Sequence, residues 1–381
     1  MRTLLLTGPG GAGTSTLAAA AAIRAARSGR RTLLLSRQVP AVAGLDAERG
    51  LTVRTVDTQA AVESVWAGAA DALADVLPQF AVPPATSVVP LPGAADLALV
   101  AELARADADL VVVDAGPVES AVALVGLPAT LRWWLDQLMP PGVRALGAVR
   151  TAAVASGAAR RGPVDAALSA VPVLEALLAD DRLADATTTG LDLVAPPRAS
   201  SAEALRAAMA VLGLHGLRAR AVLSRVLPLT GDDEWTTRRA GEQEAALAAL
   251  AELAPVCRVP ELAVSPGHPD EVVALAREGR EEPTGFPAPA PERHEGAWRL
   301  RIPLPFAGHG AVTLTRWVDD LVLTVGGVRR SLRLDPLLRR CEVTGGRLAG
   351  PGTIDAHLEV GFRPDPSLWP ADLLSAEERT P

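Results

Sequence analysis

Residues 8–16 read Gly-Pro-Gly-Gly-Ala-Gly-Thr-Ser-Thr, and this glycine-rich stretch decides the fold. It follows a short apolar segment and precedes an alanine-rich segment that is typical of a helix. A phosphate-binding loop has the pattern G-x-x-x-x-G-K-[ST]. Gly8, Gly13 and Ser15 fit this pattern, whereas Thr14 stands where the lysine belongs. The order of strand, glycine loop and helix therefore predicts an anion site built from backbone N–H groups. The alternative is a glycine turn that only packs a strand against a helix.

The chain contains no lysine, so all 37 of its basic residues are arginines. The residues expected to contact a bound nucleotide are Gly8, Pro9, Gly10, Gly11, Ala12, Gly13, Thr14, Ser15 and Thr16. Ser15 matches the hydroxyl that binds Mg²⁺ in phosphate-loop proteins. Asp114 follows an apolar strand at residues 110–113, where a carboxylate would contact Mg²⁺ through water. Ser15 and Asp114 are therefore the candidate metal-binding residues.

The length and composition of the chain exclude several classes of protein. A chain of 381 residues suggests two or three domains. The net charge of −7 argues against a general nucleic-acid-binding protein, which needs a basic surface. Cys257 and Cys341 lie far apart, so neither a disulfide framework nor a cysteine metal site is expected. No apolar run is long enough to span a membrane, and the apolar start is too short for a signal peptide. We therefore expect a cytoplasmic protein.

The first 265 residues have the pattern of an α/β domain. Apolar runs without alternation predict strands at residues 3–7, 32–36, 110–113, 191–194 and 219–223. Helical patterns lie between them, for example at residues 17–27, 202–212 and 242–253. Such runs indicate a mostly parallel sheet covered by helices on both faces. Ligands bind at the carboxyl ends of the strands in these sheets, where the glycine loop and Asp114 are both expected.

The pattern changes after residue 265. Residues 266–297 are rich in proline and charge, which predicts a linker. Period-two alternation then predicts strands at residues 298–305, 311–316, 321–325, 328–334 and 354–362, with turns between them. The predicted organisation is a phosphate-loop domain at 1–265, a linker at 266–297, a small all-β sandwich at 298–364 and a tail at 365–381.

Several motifs together resemble the ArsA-type ATPase family. Residues 114–120 read Asp-Ala-Gly-Pro-Val-Glu-Ser and are followed by Leu-Val-Gly-Leu-Pro, which resembles the family's switch II. The glycine loop resembles its deviant Walker A motif, G-K-G-G-V-G-K-T-[ST]. Residues 92–96 resemble its P-G-x-D-E element, and Glu203 with Arg206 resembles its E-T-x-R helix. The predicted sandwich is similar to the small-heat-shock-protein (α-crystallin-like) module of many bacterial ArsA-related proteins. The resemblance spans nearly the whole chain.

This resemblance implies ATP and Mg²⁺ as cofactors and a dimer whose two nucleotide sites face each other. The departures from the family pattern fall on the chemistry. The signature lysine that reaches across the interface is Pro9 here, and the second lysine is Thr14. Switch I reads Ser-Arg-Gln-Val-Pro-Ala at residues 36–41, so Gln38 replaces the aspartate that positions the attacking water. The base-recognition asparagine is replaced by Ser224, which the resemblance therefore places among the residues expected to contact the nucleotide.

The departures predict weak binding of ATP and Mg²⁺ with very slow or absent hydrolysis, because each lost stabilising group costs roughly a hundredfold to a thousandfold in rate. No residue is predicted as a firm catalytic group. Arg37 is either a substitute for the missing lysines or a solvated arginine at the end of a strand. Two alternatives stay open: a scaffold that binds no nucleotide, and an active ATPase in which arginine replaces lysine. An arsenite-pump role is weakly supported because the two cysteines lie in different domains.

The predicted partners follow from the same resemblance. We expect a homodimer with an unidentified protein client or membrane-protein partner, and no nucleic acid. The segment after switch II contains Trp133 and Trp134 among leucines, at the spacing of an apolar helix face. In relatives that target tail-anchored proteins, helices in this region form a groove for the client. The alternative is a helix packed against the core or a dimer interface.

Overall fold

The computed structural model describes residues 1–76, 81–158, 163–179, 182–277, 285–294 and 297–369. Within these residues the first part of the chain forms one sheet of seven strands, and every pairing in it is parallel. The strands are β1 (Arg2–Gly8), β2 (Thr32–Ser36), β3 (Leu51–Thr55), β4 (Leu110–Pro117), β5 (Thr189–Ala195), β6 (Ala219–Val226) and β7 (Val256–Pro260). Their order across the sheet is β3-β2-β4-β1-β5-β6-β7. The predicted α/β class is confirmed.

Helices cover both faces of this sheet. They are α1 (Thr14–Arg27), α2 (Thr58–Val76), α3 (Ala94–Ala104), α4 (Val118–Leu138), α5 (Pro141–Ala155), α6 (Pro163–Ala179), α7 (Ala199–Leu214), α8 (Glu234–Ala251) and α9 (Pro269–Val273). Leu4 and Leu6 of β1 pack on the side of α1 and α9. Leu5 packs on the opposite side, with α3, α4, α7 and α8. Both faces of the strand are therefore buried, which explains its continuous apolar run.

The sequence patterns missed the two edge strands, β3 and β7. β3 is buried only at its first residue, Leu51, and β7 only at Val259. Edge strands that face solvent on one side carry polar residues, so they lack a continuous apolar run. The predicted helix at 242–253 begins earlier in the structure, at Glu234, because Asp233 caps it by accepting a hydrogen bond from the Thr236 N–H.

The C-terminal part forms two antiparallel sheets that pack as a sandwich, as predicted. Its strands are β8 (Pro291–His294), β9 (Ala297–Pro303), β10 (Val312–Trp317), β11 (Asp320–Val325), β12 (Val328–Arg333), β13 (Cys341–Ala349) and β14 (His357–Pro364). The sheet orders are β13-β14-β9-β8 and β10-β11-β12. Residues 354–356, predicted as part of a strand, precede β14 in a turn. β13 was missed because most of it is exposed, and Gly345 and Gly346 interrupt its alternation.

The region predicted as a linker is partly folded onto both domains. α9 lies within it, and Val272 is fully buried against α1. β8 also lies within it and pairs with β9. Residues 278–284 and 295–296 of the predicted linker, and 370–381 of the predicted tail, lie outside the described residues. Trp369, at the start of that tail, packs against the sandwich core.

Helix α7 joins the two domains through a shared hydrophobic core. Ala210, Val211 and Leu214 of α7 pack with the inward-facing residues of the sandwich. At Gly213 the approach is so close that a Cβ would lie 2.3 Å from Cδ of Pro305. The sandwich is thus fixed to the α/β domain by packing and not only by the chain that connects them.

No helix among the described residues is both long enough and apolar enough to cross a membrane.

Candidate functional site

The glycine loop lies between the end of β1 and the start of α1, and its backbone explains its glycines. At Gly8 a Cβ would lie 1.9 Å from the carbonyl oxygen of Val194 in β5, so no side chain fits there. Gly11 and Gly13 have φ angles of 77° and 94°, in the left-handed region that favours glycine. Gly13 also caps α1, and the first N–H groups of the helix have no acceptor in a preceding turn. The loop therefore presents N–H donors to the space above it.

A cleft of about 550 Å³ opens above this loop. Its lining comes from the loop and the start of α1 (Pro9, Gly10, Gly11, Gly13, Thr14, Ser15, Thr16), from the end of β2 (Ser36, Arg37, Gln38) and from the end of β4 and the start of α4 (Asp114, Gly116, Pro117, Ser120). The size fits a small organic ligand. Pro9, which was expected to contact the nucleotide, is among the residues that line the cleft.

Three residues predicted to contact nucleotide do not line this cleft. Gly8 is buried against β5, and Ala12 is buried in the core beside α1. The Ala12 N–H donates to the Pro9 carbonyl oxygen at 3.0 Å, so this donor is already used. Ser224 is fully buried in β6, and its hydroxyl has no hydrogen-bond partner among the described residues. Gly8, Ala12 and Ser224 are therefore packed inside the domain around the loop and do not face the cleft.

Asp114 and Ser15 border the same cleft, as a Mg²⁺ site would require. Asp114 is nearly buried, and its Oδ1 accepts a hydrogen bond of 3.1 Å from the Gly116 N–H. Its Oδ2 lies 3.5 Å from the hydroxyl of Ser36, which donates to the Gln38 carbonyl oxygen at 2.6 Å. One carboxylate and one hydroxyl suit an ion whose other ligands are water and phosphate oxygens. The described residues contain no group of three His, Cys, Asp or Glu side chains that would hold a metal alone.

Arg37 faces the cleft but is held by a carboxylate. Its guanidinium forms an ion pair with Asp96 in the first turn of α3, and both side chains are largely buried. The left-handed Gly93 precedes that helix, and Asp96 in its first turn lies beside Arg37 at the end of β2. Arg37 is therefore not a solvated strand-end arginine, which was one of the two readings from sequence. Its charge is already partly neutralised.

Arg225 is a second arginine at the glycine loop, and the sequence analysis missed it. Its Nη2 donates to the Gly11 carbonyl oxygen at 3.2 Å, and its side chain lies 3.4 Å from the position of a Cβ at Gly13. Its guanidinium also pairs with Glu261, at 3.4 Å. Arg225 lines a smaller cleft of about 220 Å³ that shares Gly13, Ser15 and Thr16 with the first. Its place directly after Ser224, at the carboxyl end of a strand, was the signal available in the sequence.

The Trp133–Trp134 helix segment is only partly packed. The two indole rings meet edge to face with 5.0 Å between their centroids. Leu135 is buried, whereas Trp134 and Leu138 are exposed. Helix α5 also exposes three apolar side chains, Val143, Leu146 and Val149. These two helices therefore leave apolar side chains in contact with solvent.

Two family models cover most of the chain. The model described as an anion-transporting ATPase, ArsA_ATPase, matches residues 1–265. The model described as an HSP20-like domain found in ArsA matches residues 295–362. The Streptomyces coelicolor protein SCO2128, which is described as uncharacterized, is 36% identical, over 97% of this chain and 99% of its own length. The Mycobacterium tuberculosis protein Rv2184c is 31% identical, over 97% of each chain. The similarity is thus end to end and includes both domains.

Proposed function

Because the chain belongs to the ArsA ATPase family and carries that family's HSP20-like domain, we propose that it binds Mg²⁺-ATP weakly and hydrolyses it very slowly or not at all. One contrast at the cleft supports the proposal. The glycine loop and the start of α1 line the cleft, whereas Thr14 is buried and both nearby arginines are paired with carboxylates. Ser15 and, through water, Asp114 would hold Mg²⁺, which would neutralise part of the triphosphate charge.

Slow hydrolysis follows from the groups that surround the phosphates. Phosphoryl transfer depends on positioning and on stabilising charge, with little covalent chemistry from the protein. No lysine is available from this chain or from an identical partner. Gln38 lines the cleft in the place of the water-positioning aspartate. A neutral amide orients water but accepts its proton far less readily than a carboxylate does, so the attacking water is less activated.

In this proposal the protein acts as a dimeric switch or client-binding protein in the cytoplasm. α4 begins directly after the segment that contains Asp114, so a change at the nucleotide has a short path into this helix. The far end of α4 carries the exposed Trp134 and Leu138, which suit an apolar segment of a client protein. The two free cysteines, Cys257 and Cys341, fit a reducing compartment.

Two other functions compete with this one. A scaffold without nucleotide is favoured if the paired arginines leave the cleft unable to attract a triphosphate. An active ATPase is favoured if Arg37 exchanges Asp96 for phosphate. The scaffold would show lower affinity for Mg²⁺-ATP than we propose. The active ATPase would show higher affinity and faster hydrolysis.

The deciding experiment is a calorimetric titration with Mg²⁺-ATP followed by a sensitive phosphate-release assay. We expect measurable but weak binding with turnover near background. Restoring both lysines, as Pro9→Lys with Thr14→Lys, should tighten binding because each ammonium adds a charged donor to phosphate. The Asp114→Asn variant should weaken binding that depends on Mg²⁺. Unchanged affinity in the double-lysine variant would show that residues 8–16 are aligned incorrectly with the family's Walker A motif. No binding of Mg²⁺-ATP to the parent protein would favour the scaffold.

A further inference from the structure

A second cleft lies where helices α7 and α8 begin, at the same edge of the sheet as the nucleotide cleft. It has a volume of about 430 Å³ and shares none of that cleft's lining residues. Its lining residues are Arg198, Glu234, Trp235, Arg238, Arg239 and Glu242. Arg198 is the residue before α7, and Glu234 is the first residue of α8. The positive ends of two helix dipoles therefore meet three guanidinium groups and two carboxylates.

Arg239 is the buried member of this cluster. Only 6% of its side chain is exposed, although it lines the cleft. Its terminal nitrogens donate to the Pro197 carbonyl oxygen over 3.3 and 3.4 Å. Its Nε is buried and has no hydrogen-bond acceptor among the described residues. A guanidinium that is nearly buried is costly unless an anion lies close to it, so a phosphate in the cleft would stabilise Arg239 through its charge, without contact to the inaccessible Nε.

Glu242 does not balance the positive charge of the cleft. Its Oε2 lies 2.6 Å from Nη1 of Arg198 and 3.4 Å from Nη1 of Arg239, so one carboxylate serves two guanidinium groups. The hydrogen bond from Arg198 lowers the pKa of Glu242, which keeps this carboxylate charged. Arg238 and Glu234 are both about four-fifths exposed and 3.5 Å apart, a pairing that contributes little. The cleft thus has more donors than acceptors.

Trp235 supplies a flat apolar surface next to these donors. Trp235 is 65% exposed, so its side chain adds little to the hydrophobic core. We propose that this cleft binds a small phosphorylated molecule with a planar ring, with its phosphate on Arg198 and Arg239 and its ring on Trp235. Guanidinium groups and helix N-termini suit phosphate, and an indole suits a stacked ring. The proposal does not depend on nucleotide binding at the glycine loop.

Tryptophan fluorescence locates the binding. AMP is the probe, titrated into the full chain with EDTA present, because the glycine loop should bind poorly without Mg²⁺. We expect a saturable change in emission that disappears in Trp235→Phe, which keeps a ring but removes this reporter among seven tryptophans. A change that persists in Trp235→Phe, or no saturable change at all, would overturn the proposal.

Equilibrium dialysis with labelled AMP then measures the contribution of each arginine. Arg198→Gln and Arg239→Gln should each weaken binding by roughly tenfold to a hundredfold, as expected for a lost charged hydrogen bond. Arg258→Gln is the matched control, because Arg258 also pairs with an α8 carboxylate, Glu244, but lies outside the cleft. Arg198 is half exposed, so its variant tests the site without disturbing the core. Equal losses in Arg258→Gln would overturn the proposal.

Two further ligands test the two halves of the proposed molecule. Adenosine lacks the phosphate, and inorganic phosphate lacks the ring, so each should bind at least tenfold more weakly than AMP. Adenosine binding as tightly as AMP would overturn the role of the arginines. Phosphate binding as tightly as AMP would overturn the role of Trp235. AMP affinity that is unchanged in Pro9→Lys with Thr14→Lys would separate this cleft from the nucleotide site, because added lysines would tighten any AMP binding at the glycine loop.

Discussion

At the scale of single residues, the candidate nucleotide site is defined by how its charges are paired. The chain places Arg37 and Arg225 beside the glycine loop, and each meets a carboxylate from a distant segment, Asp96 and Glu261. Free guanidinium groups would attract a triphosphate, whereas paired ones must first give up a partner. Affinity should therefore depend on these carboxylates as much as on the loop itself.

Asp96→Asn tests this dependence. Removing the carboxylate frees Arg37 for phosphate, so Mg²⁺-ATP should bind roughly threefold to tenfold more tightly. Calorimetric titration measures the change. Glu102→Gln is the matched control, because Glu102 is also on α3 and pairs with Arg54 away from the cleft. Weaker or equal binding in Asp96→Asn would mean that Arg37 does not reach the nucleotide.

The sequence could predict this site only in part. Gly8, Gly13 and Ser15 follow a fixed local pattern, so the loop was recognisable without a structure. The pairing of Arg37 with Asp96 joins residues 59 positions apart, and no local pattern encodes it. Arg225 was missed for the same reason, because its contact with Gly11 spans 214 positions. Local chemistry is visible in sequence, whereas charge pairing depends on the assembled fold.

At the scale of helices and strands, the buried strands of the parallel sheet followed the sequence patterns, whereas its edge strands β3 and β7 and the exposed strand β13 did not. β1 and β4 are buried on both faces, so their apolar runs were clear. β3, β7 and β13 expose much of their length, so their composition resembles that of loops. Helix α9 was likewise missed within the predicted linker, because it is only five residues long and packs on α1 mainly through Val272. Composition alone does not distinguish such a helix from a flexible segment.

The contact between α4 and the end of α7 buries a histidine, which should make stability depend on pH. His215 is 2% exposed, lies against Gly126 of α4, and has no hydrogen-bond partner for either ring nitrogen among the described residues. Burial, with a smaller effect from Arg330, lowers the pKa of His215 to about 3. The ordinary value in an unfolded chain is about 6.5. Between these values the unfolded state binds a proton that the folded state does not.

The free energy of unfolding should therefore fall with decreasing pH in this range, by about 1.4 kcal/mol per pH unit from this group. His215→Leu removes the titration, so its loss of stability between about pH 6.5 and about pH 5 should be smaller than that of the parent by about 2 kcal/mol. Urea unfolding at both pH values measures it. His309→Leu, at an exposed site, controls for the loss of a histidine. Parallel pH dependence in parent and His215→Leu would contradict the expectation.

At the scale of the whole molecule, the ATPase-like domain and the sandwich share one hydrophobic core. Ala210, Val211 and Leu214 belong to a helix of the first domain but pack among residues of the second. Arg330 of β12 adds a hydrogen bond to the Leu214 carbonyl oxygen. The sequence predicted two domains with a linker, because nothing local shows that one helix serves both. We expect the two domains to unfold together.

Gly213→Ala tests this coupling. The new Cβ would lie 2.3 Å from Cδ of Pro305, so the sandwich must shift, at a cost of about 1–3 kcal/mol. Differential scanning calorimetry should show one transition at a lower temperature for the variant. Gly241→Ala is the control, because its Cβ meets nothing within 4 Å and alanine favours a helix. A second transition that moves alone would mean that the domains unfold independently.

The placement of α7 has a mechanical consequence. Its 16 residues form a rigid rod about 24 Å long, with one end at the Arg198 cleft and the other embedded in the sandwich. By this geometry, a tilt of roughly ten degrees about the first turn of α7 would move its far end by roughly 4 Å. A ligand that tilted α7 by binding at the Arg198 cleft would therefore displace residues of the sandwich that it does not contact.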